Sequence, residues 1–586
     1  MDIERPVKSP EDARRWGSDY IADVIRSLDL KFVAVTPGAS FRGLHDSLVN
    51  HLGNADPQML LCLHEEHTVS LAHGYAKVTG EPMGVILHSN VGLMHATMTI
   101  FNAWCDRIPV IIFGATGAVD AARRRPWIEW IHTSIDQGAL VRDYTKWDDR
   151  PVSLPAAAES MLRASMLART APRAPVYVCF DVNLQEERAP DNLPLPDVSR
   201  FKTPLPQQPA AEAIKQAAEL LVNARNPVIL IGRVGRSQEG WNQRVELAEA
   251  LNAKVITDIK QGAVFPTHHP LLAAAPGLRV PEPGMKALRE ADVVLSLDWV
   301  DLAGMLKTAM PDGAVPSQVL QCSVDPYIHR GWSMDYQGLA PMDMQLLCEP
   351  DVLVPLLLEE VRKLRAADAA MKPARSYAPV VKSMPAEVSD PDRVIGIRDF
   401  GWLMQRLNVA QDITYIRLPL GWSGDTCRFE GPYDFLGSDG GGGIGGGPGM
   451  AVGAALALRD SGRLPVAILG DGDFMMGSSA IWTAARYEIP LLILVSNNQS
   501  FFNDELHQER VAIERGRPVE NKWIGQHIGG PDIDIAALAK AQGAVGFGPV
   551  LRAGDLEAVI VEAMAQVRAG KTCVVDVRVR PEYDAS

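Results

Sequence analysis

Two groups that suit a hard cation follow two apolar segments in the last third of the chain. The run LPVAIL leads into Gly470-Asp471-Gly472, and the run PLLILVS ends directly before Asn497-Asn498. A carboxylate and an amide oxygen are ligands that Mg²⁺ accepts, and a bound Mg²⁺ recruits phosphate oxygens. Glycines on both sides of Asp471 allow the backbone to approach a diphosphate closely. The spacing predicts a site for a metal ion and a diphosphate.

The segment between these motifs predicts the elements that position them. Residues 478–488 have the pattern of a helix, so the two apolar runs become parallel strands joined by a crossover helix. Because such a connection is right-handed, Asp471 and Asn498 are expected at the carboxyl edge of one sheet. The alternative is an ordinary crossover with a turn aspartate and a capping asparagine.

The GDG and NN motifs around this βαβ unit resemble the cofactor motif of thiamine diphosphate (ThDP) enzymes. The family is the pyruvate decarboxylase and acetolactate synthase superfamily. The resemblance implies that Asp471, Asn498 and the backbone carbonyl of Ser500 bind Mg²⁺. It also places Asp473 and Met476 near the diphosphate, where an anionic Asp473 is unfavourable unless it accepts hydrogen bonds from backbone amides.

Glu65 is the candidate for activation of the cofactor. It lies between a predicted strand and a predicted helix, nine residues before Gly74-Tyr75-Ala76. This spacing resembles the activating glutamate of the same superfamily, which hydrogen-bonds N1′ of the aminopyrimidine. Such chemistry needs a carboxyl group in an apolar site, where a proton-sharing bond is strong. The alternative is a glutamate that interacts with the N-terminal end of a helix dipole.

His88 ends the predicted strand MGVILHS, on the same sheet edge as Glu65. Its LHS tripeptide is similar to one in benzoylformate decarboxylases, and so are NAW at 102–104 and the segment at 145–147. The resemblance implies that His88 exchanges protons with the substrate. The alternative is a strand-end histidine bonded to a carbonyl. Structural or surface positions are expected for His64, His67, His73 and His95.

A glycine tract at 437–449 contains nine glycines in thirteen residues. The resemblance implies that Ile444 bends ThDP and that the carbonyl of Gly442 receives its 4′-amino group. The tract predicts either close approach to the cofactor or a loop that becomes ordered when ThDP binds. The cofactor-binding residues implied by the resemblance are Glu65, Gly442, Ile444, Gly470, Gly472, Asp473, Met476 and Phe501.

The predicted substrate pocket departs from the benzoylformate decarboxylase subgroup. Ala39 occupies the position of a serine in the subgroup, with Ser40 one place on, and the second histidine of the subgroup has no match in the middle of the chain. Arg417 is a candidate for binding a substrate carboxylate, whereas the arginine run at 123–125 is expected to be solvated surface. The pocket residues implied by the resemblance are Ala39, Ser40, Arg417, Phe502, Asn503 and His507.

Composition indicates a large globular protein. Of its 586 residues, 47% are hydrophobic and 22% are charged, and the net charge of −14 argues against nucleic acid or an anionic membrane as a partner. The sequence contains no run of eighteen apolar residues and no apolar signal core, so no membrane association is expected. Its seven cysteines are scattered without a CxxC pair, which predicts reduced thiols and a cytoplasmic location.

Apolar runs alternate with helical stretches along the chain, which predicts α/β architecture with three doubly wound parallel-sheet domains. The expected units are a pyrimidine-binding domain at 1–193, a central domain at 206–365, a linker at 366–393 and a diphosphate- and Mg²⁺-binding domain at 394–586. The central unit resembles one that carries FAD in some relatives. Nothing in 229–325 requires FAD, and FAD is not expected.

These features predict a ThDP- and Mg²⁺-dependent enzyme that cleaves or forms the bond next to a carbonyl, with non-oxidative decarboxylation of a 2-oxo acid favoured. The alternatives are a carboligase similar to acetolactate synthase, a 2-hydroxyacyl lyase and, more remotely, a catalytically silent ThDP-binding subunit. A nicotinamide dehydrogenase is disfavoured because no strong strand leads into the glycine tract. The resemblance also implies that ThDP lies between subunits, so self-association as a dimer or tetramer is expected.

Overall fold

The computed structural model describes residues 4–7, 15–327, 338–367 and 390–583. Three parallel sheets, of six, five and five strands, account for the strand content of these ranges. Most of the predicted linker at 366–393 lies outside the described residues. Within the described ranges, no helix combines the length and the apolar character needed to cross a membrane.

The first sheet is built from β1 (Phe32–Val35), β2 (Gln58–Leu61), β3 (Met83–Leu87), β4 (Val110–Thr116), β5 (Trp147–Asp149) and β6 (Val176–Asp181). Its strand order is β2-β1-β3-β4-β6-β5. Alternate residues of β3 enter different cores, with Val85 and Leu87 on one side and Ile86 on the other. Both faces are therefore covered, as expected for near-continuous apolar strands. The helices of this unit are α1 (Gly17–Ser27), α2 (Arg42–Asp46), α3 (Glu65–Thr79), α4 (Ser89–Cys105), α5 (Ile128–Ile131), α6 (Leu154–Arg169) and α7 (Val182–Glu186).

The second sheet contains β7 (Pro227–Ile231), β8 (Lys254–Ile256), β9 (Val293–Leu297), β10 (Gln318–Cys322) and β11 (Met344–Leu346). The strands are ordered β11-β10-β9-β7-β8. Ile229 and Val228 of β7 pack into separate cores, so this sheet is also covered on both faces. Its helices are α8 (Ala211–Asn223), α9 (Gln238–Leu251), α10 (Glu282–Arg289), α11 (Leu302–Ala309) and α12 (Pro350–Ala367).

The third sheet consists of β12 (Ile413–Arg417), β13 (Leu464–Gly470), β14 (Leu491–Asn497), β15 (Val545–Val550) and β16 (Thr572–Arg578). Its order is β12-β13-β14-β16-β15, and Gly470 of β13 lies opposite Ser496 of β14. This register brings the carboxyl ends of the two central strands to the same edge. The helices are α13 (Ile397–Gln411), α14 (Gly447–Leu458), α15 (Asp471–Gly477), α16 (Ala480–Arg486), α17 (Phe502–Glu514), α18 (Ile535–Ala541) and α19 (Ala553–Arg568).

Helices α3 and α14 join the first and third units through a close crossing. A Cβ at Gly74 would lie 2.0 Å from the carbonyl oxygen of Met450, and a Cβ at Gly453 would lie 1.8 Å from the carbonyl oxygen of Leu71. The glycines therefore permit backbone contact between the helices. Apolar side chains of both units form one continuous core around the crossing.

The predicted fold class is confirmed, whereas three local expectations are wrong. The crossover between β13 and β14 is two short helices, α15 and α16, rather than one helix over 478–488. Helix α3 begins at Glu65 and includes it, because Nδ1 of His64 accepts the backbone N–H of Glu66 at 3.1 Å and caps the helix. The pattern after the apolar run FVAVTPG predicts one helix over 41–51, but residues 39–51 form three short helical turns of different types.

Candidate active site

Glu65 is buried at the start of α3, at the carboxyl edge of the first sheet. Its Oε2 lies 3.1 Å from Nδ1 of His95, which belongs to α4. Gly92, one turn before His95, leaves room for the carboxyl group, since a Cβ there would lie 3.2 Å from both Cγ and Oε1 of Glu65. The carboxyl group is thus held in a narrow gap between the first turn of α3 and one face of α4.

His88 follows β3 and precedes α4, so its ring opens on the same edge as Glu65. Nδ1 of His88 lies 2.9 Å from Oγ of Ser40, which also accepts the backbone N–H of Ser89 at 3.1 Å. The Ser40 backbone N–H points at the same ring nitrogen at 3.4 Å. Nδ1 is therefore the acceptor, and a neutral His88 carries its proton on Nε2.

Burial lowers the pKa of His88, and the neighbouring His132 lowers it further, against an opposing effect of Glu65. The neutral ring is consequently the dominant form near pH 7. Gly38 provides the space for this ring, because a Cβ at Gly38 would lie 2.1 Å from Cγ of His88. The arrangement presents an Nε2–H donor at the sheet edge that also carries Glu65.

His132 is a residue of this site that the sequence did not single out. Its ring centroid lies 4.8 Å from that of His88, at an interplanar angle of 74°. It directly follows the short helix α5, and its carbonyl accepts a hydrogen bond from Oγ of Ser89. The available signal was a histidine in the loop after β4, which ends at the same sheet edge, but nothing in its spacing distinguished it from other loop histidines.

Asp471 begins α15 at the carboxyl end of β13, and it is 3% exposed. Backbone N–H groups of residues 471, 472 and 499 surround its carboxyl group, but burial dominates and raises its pKa to about 6. Its Oδ2 is buried without a hydrogen-bond partner. An unsatisfied buried carboxylate oxygen in a polar site is where a cation is expected to bind, so this residue fits the predicted Mg²⁺ site.

Asn498 follows β14 on the same edge, and its Oδ1 accepts the backbone N–H of Ser500 at 3.0 Å. The preceding Asn497 is fixed by a 2.9 Å bond from Nδ2 to Asp576 and accepts the backbone N–H of Gln499 at 3.1 Å. Ser500 donates its hydroxyl to Glu505. These bonds shape a tight turn that carries the predicted ligands Asn498 and Ser500 beside Asp471.

Asp473 is held by backbone amides and by an arginine. Its Oδ1 accepts the backbone N–H groups of Gly445 and Gly447 at 2.7 and 3.3 Å, and its Oδ2 lies 3.0 Å from Nε of Arg417. Arg417 also pairs with Asp439, and all three side chains are buried. The charge of Arg417, a predicted substrate-binding residue, is paired with two carboxylates. The backbone amides that Asp473 accepts belong to the glycine tract, and such bonds are what its predicted position near a diphosphate requires.

The glycine tract packs against α4 of the first unit. A Cβ at Gly441 would lie 2.3 Å from Oδ1 of Asn102, and a Cβ at Gly443 would lie 2.4 Å from Cε of Met98. Close helix approach is therefore one physical reason for the glycines, which the sequence had linked to the cofactor or to loop mobility. Gly442 has a φ of +69° and is exposed, and Ile444 next to it is half-buried.

Most of the other predicted cofactor and pocket residues lie along the third sheet edge and α17, whereas Ala39 lies in the first unit, after β1. Phe501 packs on Gly472, since a Cβ there would lie 2.6 Å from its ring, whereas a Cβ at Gly470 would meet open space. Phe502 is buried with its ring 5.3 Å from that of Tyr583. The remaining positions are open to solvent to different degrees: Ala39, Met476 and His507 are exposed, and Asn503 is half-buried.

The arginine run predicted to be surface forms ion pairs, one of them with the buried carboxyl group of Glu129. Arg125 Nε lies 2.6 Å from Glu129, and Arg123 lies near Asp120 and Glu187 at 3.8 and 3.6 Å.

A cavity of about 580 Å³ lies where the three units meet. On its wall, Arg107 and Arg233 both pair with Asp325, and Arg233 also pairs with Asp298. The cavity lining includes neither Glu65 nor Asp471. It is therefore a separate feature from the two candidate half-sites.

Comparisons with known proteins match all three units to thiamine pyrophosphate enzymes, which use ThDP. The matching family models describe the N-terminal TPP binding domain at 15–140, the central domain at 214–326 and the C-terminal TPP binding domain at 420–577. The benzoylformate decarboxylase of Pseudomonas aeruginosa is 25% identical over 461 residues, which are 76% of this chain and 80% of the relative.

Two further similarities cover nearly the whole chain. The acetolactate synthase isozyme 3 large subunit of Escherichia coli is 24% identical over 579 residues, with 95% of this chain and 94% of the relative covered. The crystal structure of benzoylformate decarboxylase from Polynucleobacter necessarius matches with a TM-score of 0.78 and 21% identity, over 97% of this chain and 99% of that chain. At this identity the structural match shows a shared fold.

Proposed function

Because this chain belongs to the thiamine pyrophosphate enzyme family, which includes 2-oxo acid decarboxylases and acetolactate synthases, we propose that it is a ThDP- and Mg²⁺-dependent enzyme that decarboxylates a small 2-oxo acid without oxidation. The observation that carries the proposal is the pair of complementary half-sites. Glu65 and His88 share the edge of the first sheet, and the buried, unpartnered Oδ2 of Asp471 lies at the edge of the third.

Asp471, Asn498 and the carbonyl of Ser500 would hold Mg²⁺, and Gly470 and Gly472 would admit the diphosphate. The open space beside Gly470 supports this assignment. The first unit would then bind the pyrimidine and the third unit the diphosphate. Gly442, Ile444, Asp473, Met476 and Phe501 remain proposed cofactor contacts. When bound, ThDP supplies the electron sink that decarboxylation requires.

The first unit supplies the groups that manage protons. Glu65, buried and held by His95, can share a proton with a nitrogen of the pyrimidine, since a carboxyl group in an apolar gap makes a strong hydrogen bond. His88 holds its proton on Nε2 and can donate it to a substrate oxygen, while Ser40 fixes the ring. His132 places a second imidazole beside His88.

A carboligase is the second candidate. The similarity to an acetolactate synthase subunit over 95% of this chain favours it, because that relationship spans all three units. Cleavage of a 2-hydroxyacyl substrate uses the same proposed groups. A silent ThDP-binding subunit is less favoured, because Glu65 is present and buried.

The proposed partners follow from the same half-sites. The described contacts of Glu65 come from elements of the first unit, and those of Asp471 come from the third unit. We expect a second subunit to bring a first unit against a third unit, in a dimer or tetramer. The substrate is a small 2-oxo acid or acyl compound, and the net charge of −14 argues against nucleic acid. A cytoplasmic location remains part of the proposal.

Proton NMR of the purified protein with ThDP, Mg²⁺ and a panel of 2-oxo acids tests this function. The panel contains aliphatic, aromatic and dicarboxylic acids, each with and without an aldehyde acceptor. Formation of an aldehyde supports the decarboxylase, and a 2-hydroxy ketone formed in preference supports the carboligase. Unchanged acids across the panel, with ThDP shown to be bound by fluorescence titration, would overturn the decarboxylase proposal.

A further inference from the structure

We propose that His95 is a positioning residue for Glu65: it holds Oε2 of the carboxyl group and leaves Oε1 to face the pyrimidine of ThDP. The inference rests on the proposed function and deepens it. It begins from the 3.1 Å contact between Nδ1 of His95 and Oε2 of Glu65.

One face of α4 holds the carboxyl group. Gly92 and His95 are three residues apart, so they lie on the same face of the helix. Gly92 offers no side chain and lets the carboxyl group come within contact distance of the helix backbone. His95 then reaches one oxygen from the side. This spacing fixes the plane of the carboxyl group. The backbone at Gly92 limits the positions of Cγ and Oε1, and the hydrogen bond from His95 holds Oε2.

His95 is itself held in place. Its ring is stacked on that of His64, with a centroid separation of 5.1 Å and an interplanar angle of 18°. His64 in turn is anchored as the cap of α3, because its Nδ1 accepts the backbone N–H of Glu66. The cap, the stack and the hydrogen bond connect the start of α3 to α4 and fix the ring that contacts Glu65.

Burial of the carboxyl group distinguishes this pair from a second histidine–glutamate pair. His269 and Glu249 form a contact of similar length, 3.2 Å, in the central unit, but there the carboxyl group is the exposed partner, where solvent weakens the interaction. The side chain of Glu65 is 11% exposed and that of His95 53%, whereas that of Glu249 is 56% exposed and that of His269 16%. A hydrogen bond to a carboxyl group in a drier site is stronger, so loss of His95 has a measurable consequence.

The same three side chains form a less suitable metal site. Ligand atoms of His64, Glu65 and His95 lie within 4.8 Å of one another. A metal ion binds an imidazole nitrogen in the plane of the ring, and two nearly parallel rings direct their nitrogens along parallel lines rather than toward one point. Nδ1 of His64 is also already an acceptor. The positioning role therefore accounts better for the geometry.

The test compares His95→Phe, which keeps an aromatic ring in the stack and removes the donor, with His95→Asn, which keeps a donor at a similar position. His269→Phe is the matched control, in the pair of His269 and Glu249. The measurement is the rate of hydrogen–deuterium exchange at C2 of ThDP bound to each variant. We expect His95→Phe to slow exchange about tenfold, His95→Asn to recover most of the rate and His269→Phe to leave it unchanged.

A second readout uses the protein without cofactor. Selective ¹⁵N-histidine spectra, assigned by the signal lost in His95→Phe, should show a protonated Nδ1 on His95 that shifts in Glu65→Ala. An exchange rate in His95→Phe equal to that of the parent protein, or equally slow rates in both His95 variants at unchanged thermal midpoints, would overturn the inference. Unimpaired exchange in Glu65→Gln would instead contradict the proposed role of Glu65, so the two failures are distinguishable.

Discussion

Arg417 and Asp473 are buried together in the third unit, with Asp439 as the second anionic partner of the arginine. Replacing Arg417 with Met leaves two buried carboxylates without their cation. We expect the free energy of unfolding to fall by about 3 to 5 kcal/mol, measured by urea denaturation. Arg406→Met is the control, since Arg406 pairs with Glu557 on the surface and its loss should cost less than about 1 kcal/mol. A variant with unchanged stability and a raised KM would instead support the prediction that Arg417 binds the substrate.

Asp471 is expected to lower the stability of the metal-free protein and to raise the stability of the protein with Mg²⁺ bound. Its carboxyl group is buried with one oxygen unsatisfied, so Asp471→Asn removes a cost of folding in the absence of a cation. We expect the metal-free variant to gain on the order of 1 kcal/mol in stability, while the rise in Tm on addition of Mg²⁺ and ThDP disappears. Calorimetry with and without ligands measures both. Asp504→Asn, at an exposed position of α17, should retain the ligand-dependent rise.

His88 determines a pH dependence whose sign follows from its environment. Burial and His132 both lower its pKa, so the neutral ring persists below the ordinary value of 6.5. If the Nε2–H donor of the neutral ring is the active form, kcat should be level between pH 8 and about 6.5 and fall at lower pH. His132→Asn removes one cause of the lowered pKa and should move the midpoint of the pH profile upward. An unchanged midpoint would show that His132 does not influence the pKa of His88.

At the scale of elements, the sequence predicted the strands better than the contacts between units. Asp471 and Asn498 could be placed at one edge because the apolar runs before them become neighbouring parallel strands. The partners of Asp473 could not be predicted, since Arg417 and Gly445 reach it from a different strand and a loop. The contact of His95 with Glu65 could not be predicted either, because it depends on how far α4 lies from the first turn of α3.

The crossing of α3 and α14 gives a prediction at this scale. Gly453→Ala places a methyl group 1.8 Å from the carbonyl oxygen of Leu71, which forces two packed helices apart. We expect a loss of roughly 3 kcal/mol in stability or separate unfolding of the first and third units, followed by circular dichroism and limited proteolysis. Gly431→Ala is the control, because an added Cβ there meets nothing closer than 3.8 Å. Equal stability of the two variants would show that α3 and α14 can move apart without a loss in the free energy of unfolding.

At the scale of the whole molecule, the two half-sites raise the question of how one cofactor reaches both. The crossing of α3 and α14 packs the first and third units of one chain against each other through helices. Glu65 remains among elements of the first unit, and Asp471 remains among elements of the third. This arrangement is the basis for the proposal that a second chain supplies the missing half of each site.

Mixed oligomers test this arrangement directly. Glu65→Gln and Asp471→Asn should each be inactive alone, but a mixed dimer contains one site with both changes and one site with neither. Random pairing makes half of the dimers mixed, so coexpression of the two variants should restore about a quarter of the parent activity. Coexpression of two differently tagged Glu65→Gln chains is the control and should remain inactive. If each site were built within a single chain, every site in the mixture would carry one change, and no activity would return.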